Sequence, residues 1–179
     1  MVYLFLAEGF EEIEALATVD ILRRAEIKVE TVSITDSNKV IGAHEIEITA
    51  DKKFAEISEN ADMYILPGGM PGTLNLGAFK PLSDLLRKAN DEGKYIAAIC
   101  AAPSVFGELG LLKGKKASCY PGFEEKLLGA EVLMEPVVVS ENIITSRGAG
   151  TAHTFALKLV SLLKNDMAAE NLKKGMLYE

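Results

Sequence analysis

The 179-residue chain has no tryptophan, two cysteines and two histidines, and aromatic residues make up 7% of it. No hydrophobic run approaches the ~20 residues of a membrane span. Two cysteines, Cys100 and Cys119, are too few for a disulfide framework and suit a reducing compartment. His44 and His153 stand alone, with no His/Cys cluster at ligand spacing, so no metal is expected. Lysine plus arginine number 19 against 26 acidic residues, a net charge of −7 with no basic run, which argues against nucleic acid as a partner. The apolar run Val2 to Ala7 is too short for a secretory signal and lacks its basic flank. The expectation is a cytoplasmic chain with no membrane partner. No repeat, low-complexity tract or linker divides it, so residues 1–179 read as a single domain.

What is present alternates between strand and helix patterns. Val2 to Ala7 is continuously apolar, as a strand buried on both faces would be. Phe10 to Arg24 suits a helix, with Glu11 and Glu12 in its first turn and Arg23 and Arg24 at its end. Ile27 to Ile34 reads as a second strand, and Val40 to Thr49 as short strands or a hairpin. Met63 to Leu66 is a buried strand stopped by Pro67-Gly68-Gly69-Met70-Pro71-Gly72, a run that excludes helix. Leu82 to Asn90 has helical spacing. Tyr95 to Ile99 is a strand that ends at Cys100, and Ala101 to Leu109 is helix-like. Phe123 to Leu128 suits a short helix, Val137–Val139 and Ile143–Thr145 a hairpin, and Ala152 to Leu163 and Asp166 to Lys174 two final helices. This order gives a parallel α/β sheet. In such sheets ligands bind beyond the carboxyl ends of the strands. Four of those ends carry breakers or reactive residues: Glu8-Gly9, Pro67-Gly68-Gly69, Cys100 and Ser146-Arg147-Gly148.

A strand that turns sharply into a helix at a cysteine has the pattern of a nucleophile elbow. A helix N-terminus beside it would lower the thiol pKa from about 8.5 towards roughly 3.5–7.5. The plain alternative is a buried, inert thiol. Glu14 shares a helix face with Phe10, Ala17, Thr18 and Ile21; burial there would raise its pKa and suit it to proton transfer, whereas on a misjudged face it is an ordinary exposed glutamate. The Gly68-Gly69 and Ala101 amides are candidate oxyanion donors, or a plain tight turn and its neighbour. His153, in the first turn of the last long helix, is a possible accessory group or a packed side chain. Cys119 would pair with an oxidised Cys100 only at bonding distance. Gly148-Ala149-Gly150 lacks the third glycine of a dinucleotide fingerprint.

Five segments together carry a resemblance: Gly9-Phe10-Glu11-Glu12-Ile13-Glu14, Val19 to Ala25, Leu66-Pro67-Gly68-Gly69, Ile96 to Pro103 around Cys100, and Thr145-Ser146-Arg147-Gly148-Ala149-Gly150-Thr151. In order and spacing they resemble the ThiJ/PfpI superfamily, within it the parkinsonism-associated deglycase (DJ-one) branch, from Val2 to about Leu163. The resemblance implies a flavodoxin-like three-layer α/β sandwich with a mostly parallel central sheet, as in class I glutamine amidotransferases, and a homodimer. It marks Cys100 as an oxidation-sensitive nucleophile, Glu14 as its protonated partner, and the amides of Gly69 and Ala101 as its donors. Arg24, Tyr120, Cys119 and His153 are possible accessory residues. The implied activities are cofactor-free glyoxalase or deglycase reactions on methylglyoxal or its adducts, and a redox or chaperone role in which peroxide oxidises Cys100 to a sulfinate. The chain departs from the family in two places. Tyr120-Pro121 stands where many members have His-Pro, and Ala101 where the protease-like members have histidine. A hydrolytic Cys–His dyad, and with it a protease, is not expected.

Overall fold

Val2–Leu6 (β1) is buried along its whole length, as the unbroken apolar run predicts. The computed structural model describes residues 1–178. After β1 come Glu12–Arg24 (α1), Val29–Ser33 (β2), Lys39–Ile41 (β3), Glu47–Thr49 (β4), Lys52–Lys53 (β5) and Met63–Leu66 (β6). Gly72–Ala78 (α2), Lys80–Asp91 (α3), Tyr95–Ile99 (β7) and Pro103–Glu108 (α4) follow. Lys116–Ala117 (β8), Glu131–Val132 (β9), Val137–Ser140 (β10), Ile143–Ser146 (β11), Ala152–Leu163 (α5) and Asp166–Gly175 (α6) complete the order.

Seven strands form the central sheet in the order β10-β11-β7-β6-β1-β2-β5. All neighbours are parallel except β10 and β11, the expected hairpin. Strand alternation divides the core. Val2, Leu4 and Leu6 of β1, with Met63, Ile65, Ala97, Ile99 and Ile144, face one cluster that includes Ile21 of α1 and Phe155 and Val160 of α5. Tyr3, Phe5, Tyr64, Leu66, Ile96 and Ala98 face the other, with Leu86 of α3 and Phe106 of α4. The sheet is therefore covered on both faces, which its apolar strands require. Among the described residues no helix is long and apolar enough to cross a membrane.

Most boundaries shift by one or two residues from the sequence reading, as β2 (expected Ile27–Ile34) and α3 (expected Leu82–Asn90) do, and four differences bear on the site or change an element. The first helix begins at Glu12 rather than Phe10, because Phe10 bridges Gly42 and the Glu11 N–H donates to the Gly68 carbonyl at 2.9 Å. The Gly/Pro run breaks the chain only as far as Pro71, and α2 starts at Gly72. After Cys100 the helix begins at Pro103 and is six residues long, shorter than the expected Ala101–Leu109. The stretch near Phe123 holds one 3-10 turn, Glu124–Lys126.

Candidate active site

The chain leaves β1 for β2 on one side and then crosses to β6 on the other, so strand order reverses between β1 and β6. That crevice is where open α/β sheets bind ligands. Because β11, β7, β6 and β1 are consecutive and parallel, the four ends singled out in the sequence lie side by side at one edge.

Cys100 follows β7 with φ of 67°, a left-handed conformation that costs a residue with a Cβ about 1–2 kcal/mol. Two backbone bonds hold it. Its N–H donates to the Ser146 carbonyl at 3.0 Å, and its carbonyl accepts from the Tyr120 N–H at 2.8 Å. This is the sharp turn of a nucleophile elbow. Glu14 is 1% exposed, on the face of α1 that the spacing indicated. Its Oε2 accepts from the Gly68 N–H at 2.8 Å, the Cys100 side chain bonds the same carboxyl group, and Oε1 is buried without a partner among the described residues. Burial pushes the Glu14 pKa up from 4.5 to about 7, helped by the Glu11 charge, while the bonds from Gly68 and Cys100 pull it back.

The thiol overturns the expectation of a lowered pKa. Burial, then the charge of the Glu14 carboxylate and its bond to the sulfur, push Cys100 up to about 12, against the opposing pull of the Ala101 and Gly69 amides. The six-residue α4 begins three positions on, which leaves those two amides as the local donors. Gly68 is the residue the pattern undervalued. A Cβ there would lie 2.6 Å from the Cys100 Cβ and 2.7 Å from Glu14 Oε2, so only glycine admits the pair. Gly69, at φ of 93°, passes so close to Gly9 and Glu11 that a Cβ would meet the Glu11 nitrogen at 2.4 Å.

Tyr120, Pro121, Arg147 and the Gly148–Thr151 turn line an open groove of about 300 Å³. It adjoins the carboxyl, since a Cβ on Gly148 would stand 3.2 Å from the Tyr120 ring and 4.0 Å from Glu14 Oε1. The other accessory candidates lie elsewhere. Arg24 is held by Asp20 at 2.6 Å, ten residues and about 15 Å along α1 from Glu14. His153 stacks on Tyr178 with ring centroids 5.3 Å apart. Cys119 is buried in the second core cluster, where burial and the Glu124 charge push its thiol up to about 11, while Cys100 packs against the first cluster and both remain free thiols. Folding also gathers a set that the sequence hid: ligand atoms of Glu11, Glu12 and His44 lie within 4.8 Å of one another. Within it the buried Glu12 accepts from the His44 backbone N–H at 2.7 Å and contacts its Nδ1 at 2.8 Å.

Residues 1–162 match the model of the DJ-1/PfpI family. The chain belongs to that family. It is 40% identical over 169 residues to protein DJ-1 homolog B of Arabidopsis thaliana, covering 92% of this chain but only 39% of that longer protein. It is 32% identical to the glutathione-independent glyoxalase DJR-1.2 of Caenorhabditis elegans, over 94% of this chain and 91% of that one. The solved structure of oxidized Toxoplasma gondii DJ-1 superposes with a TM-score of 0.95 at 37% identity, covering 99% of this chain and 97% of the other. The family and fold that the five segments implied are thus those of this chain.

Proposed function

We propose that the chain is a cysteine-dependent, cofactor-free glyoxalase or deglycase of the cytoplasm, acting on methylglyoxal or its adducts through Cys100 and Glu14. The observation that carries this reading is the buried Glu14 carboxyl, with one oxygen at Gly68 beside the thiol and the other free beside the groove. The likeness to a protein named as a glutathione-independent glyoxalase supports it. Above about pH 7 the pair holds one proton. Moving that proton from sulfur to Glu14 removes the carboxylate charge and leaves a thiolate facing a carboxylic acid and two amides, with no histidine needed.

The thiolate adds to the aldehyde carbon, and Glu14 gives its proton to the new alkoxide, forming a hemithioacetal. The Glu14 carboxylate then takes the hydrogen of that carbon and returns it to the neighbouring carbonyl carbon, while the hydroxyl proton passes to the adjacent oxygen. The result is a thioester, with no net oxidation. Water attacks it, Glu14 takes a water proton, the thiolate leaves, and a hydroxy acid is released. The amides of Gly69 and Ala101 stabilise negative charge around the sulfur.

The test is D-lactate formation from methylglyoxal by wild type, Cys100→Ser and Glu14→Gln over a buffer blank. Both variants are expected to lose turnover, and full activity in Cys100→Ser overturns the reading. A second reading, favoured by the likeness to a structure described as oxidized, is a protective protein whose Cys100 is converted by peroxide to a sulfinate held by the same donors. Peroxide treatment that adds no oxygen mass to Cys100 before unfolding removes it. We also propose a homodimer. The exposed Ile13 and Leu16 of α1, with Ile41, Ile46 and Met70 nearby in the chain path, supply apolar surface for it, and sedimentation at graded concentrations tests it.

A further inference from the structure

Arg147 is unlike the other three arginines. Arg23, Arg24 and Arg87 each pair with a carboxylate, at 2.6, 2.6 and 3.6 Å. Arg147 has no ion pair among the described residues, and its Nε is buried with no acceptor. An orphaned buried donor on a charged group is costly, and a native structure that retains one calls for an explanation. Cys119 does not supply it, because burial keeps that thiol neutral and it offers no anion.

Position gives that cation a use. Arg147 follows β11 directly and lines the groove whose Gly148 wall adjoins the free Oε1 of Glu14. At about 300 Å³ the groove has room for a substituent well beyond the three carbons of methylglyoxal. A substrate carbonyl beside Cys100 and Glu14 would extend its substituent past Gly148 into the groove that Arg147 lines. Charge-assisted N–H···O bonds from arginine to carboxylate or phosphate are short, directional and about twice as strong as neutral ones.

We infer that Arg147 is a specificity-determining residue that binds an anionic group on the substrate, so that the site prefers α-oxoaldehydes ending in a carboxylate or phosphate. This rests on the glyoxalase reading above and names its substrate class. Arg147 takes no part in the bond changes. It anchors the far end of the substrate and positions the aldehyde.

The first measurement compares kcat and KM for methylglyoxal, γ,δ-dioxovalerate (an α-oxoaldehyde ending in a carboxylate) and the phosphate ester of hydroxypyruvaldehyde. In wild type, kcat/KM for at least one anionic aldehyde exceeds that for methylglyoxal about tenfold or more, as expected of a charge-assisted bond; which one responds separates carboxylate from phosphate recognition. Arg147→Gln lowers kcat/KM for the preferred anion about tenfold more than for methylglyoxal, chiefly through KM, and Arg147→Lys recovers part of the loss. Equal losses on neutral and anionic aldehydes, or no anionic preference in wild type, overturn the inference. The second measurement is independent of turnover. Calorimetric titration of Cys100→Ala with each anionic aldehyde should detect binding that Cys100→Ala/Arg147→Gln lacks. If no aldehyde is turned over but this binding is seen, the glyoxalase reading fails and the anion site stands. If the single variant binds neither anion, or the double variant binds equally well, the anion site fails.

Discussion

Glutamine at position 14 removes a titration while keeping a side chain of the same shape. Its amide oxygen can accept from the Gly68 N–H as Oε2 does now at 2.8 Å. In the wild type the folded chain holds the Glu14 proton up to about pH 7, whereas the group ordinarily releases it near 4.5. The folded state therefore binds more protons than the unfolded state between those values. The sign follows: the contribution of Glu14 is fully present below pH 4.5 and is lost as pH rises to about 7. At about 1.4 kcal/mol per pH unit, the window comes to about 3 kcal/mol. Cys100 does not intrude, because its folded thiol titrates at about 12 and an unfolded one near 8.5. Urea unfolding of both proteins under reductant at about pH 5 and about pH 8 isolates the effect, since every other carboxyl is common to the pair. Relative to wild type, Glu14→Gln should gain about 2–3 kcal/mol between the two conditions, because at pH 5 the unfolded glutamate is already largely ionised and part of the window is spent. A difference that stays constant within about 0.5 kcal/mol would show that Glu14 is not held protonated by burial, and the proton bookkeeping of the proposed mechanism would fall with it.

Gly68→Ala forces a Cβ against Cys100 and Glu14 and should cost roughly 1–3 kcal/mol in urea unfolding, with loss of methylglyoxal turnover. An unchanged midpoint would mean the turn yields freely. Cys100→Gly should be more stable than Cys100→Ala by about 1 kcal/mol, because only the alanine carries a Cβ in the left-handed conformation at φ of 67°. Thermal melts of the two read this directly, and equal stability would remove the claim of backbone strain. The kcat/KM for methylglyoxal should rise with pH through an apparent pKa of about 7, as the doubly protonated pair loses one proton. A profile flat across neutrality would separate turnover from Glu14.

Much of this site was legible in the chain, and the reason is local. Strands as apolar as Val2–Leu6 and Met63–Leu66 fix which segments are central, and their parallel order fixes which ends meet. Cys100 and Glu14 stood out because each is a reactive group in an otherwise apolar pattern. Helix α2 did not, since its seven residues include Gly72 and Gly77, which weaken any helical signal. The thiol pKa cannot be read from the pattern, because its sign depends on how far burial and a carboxylate outweigh two amides, a balance of distances that spacing does not contain. His153 finds its partner in Tyr178, and Glu12 finds its own in His44, through folds of the chain that no local pattern records. Arg147 and Gly148 were visible as a strand end, but their roles depend on the groove, which exists only once Tyr120 lies against them.

The carbonyl that clamps the Cys100 N–H belongs to Ser146, on the last strand of the sheet to be made. During synthesis the cysteine therefore leaves the ribosome well before its clamp, and at ordinary elongation rates the interval is on the order of seconds. Over that interval the nascent chain has Glu14 and the Gly68-Gly69 turn but neither β11 nor the wall of the groove. The left-handed turn at Cys100 is then held from one side only, so the strained elbow is a late product of translation, and a ribosome stalled before residue 146 carries the thiol without its geometry.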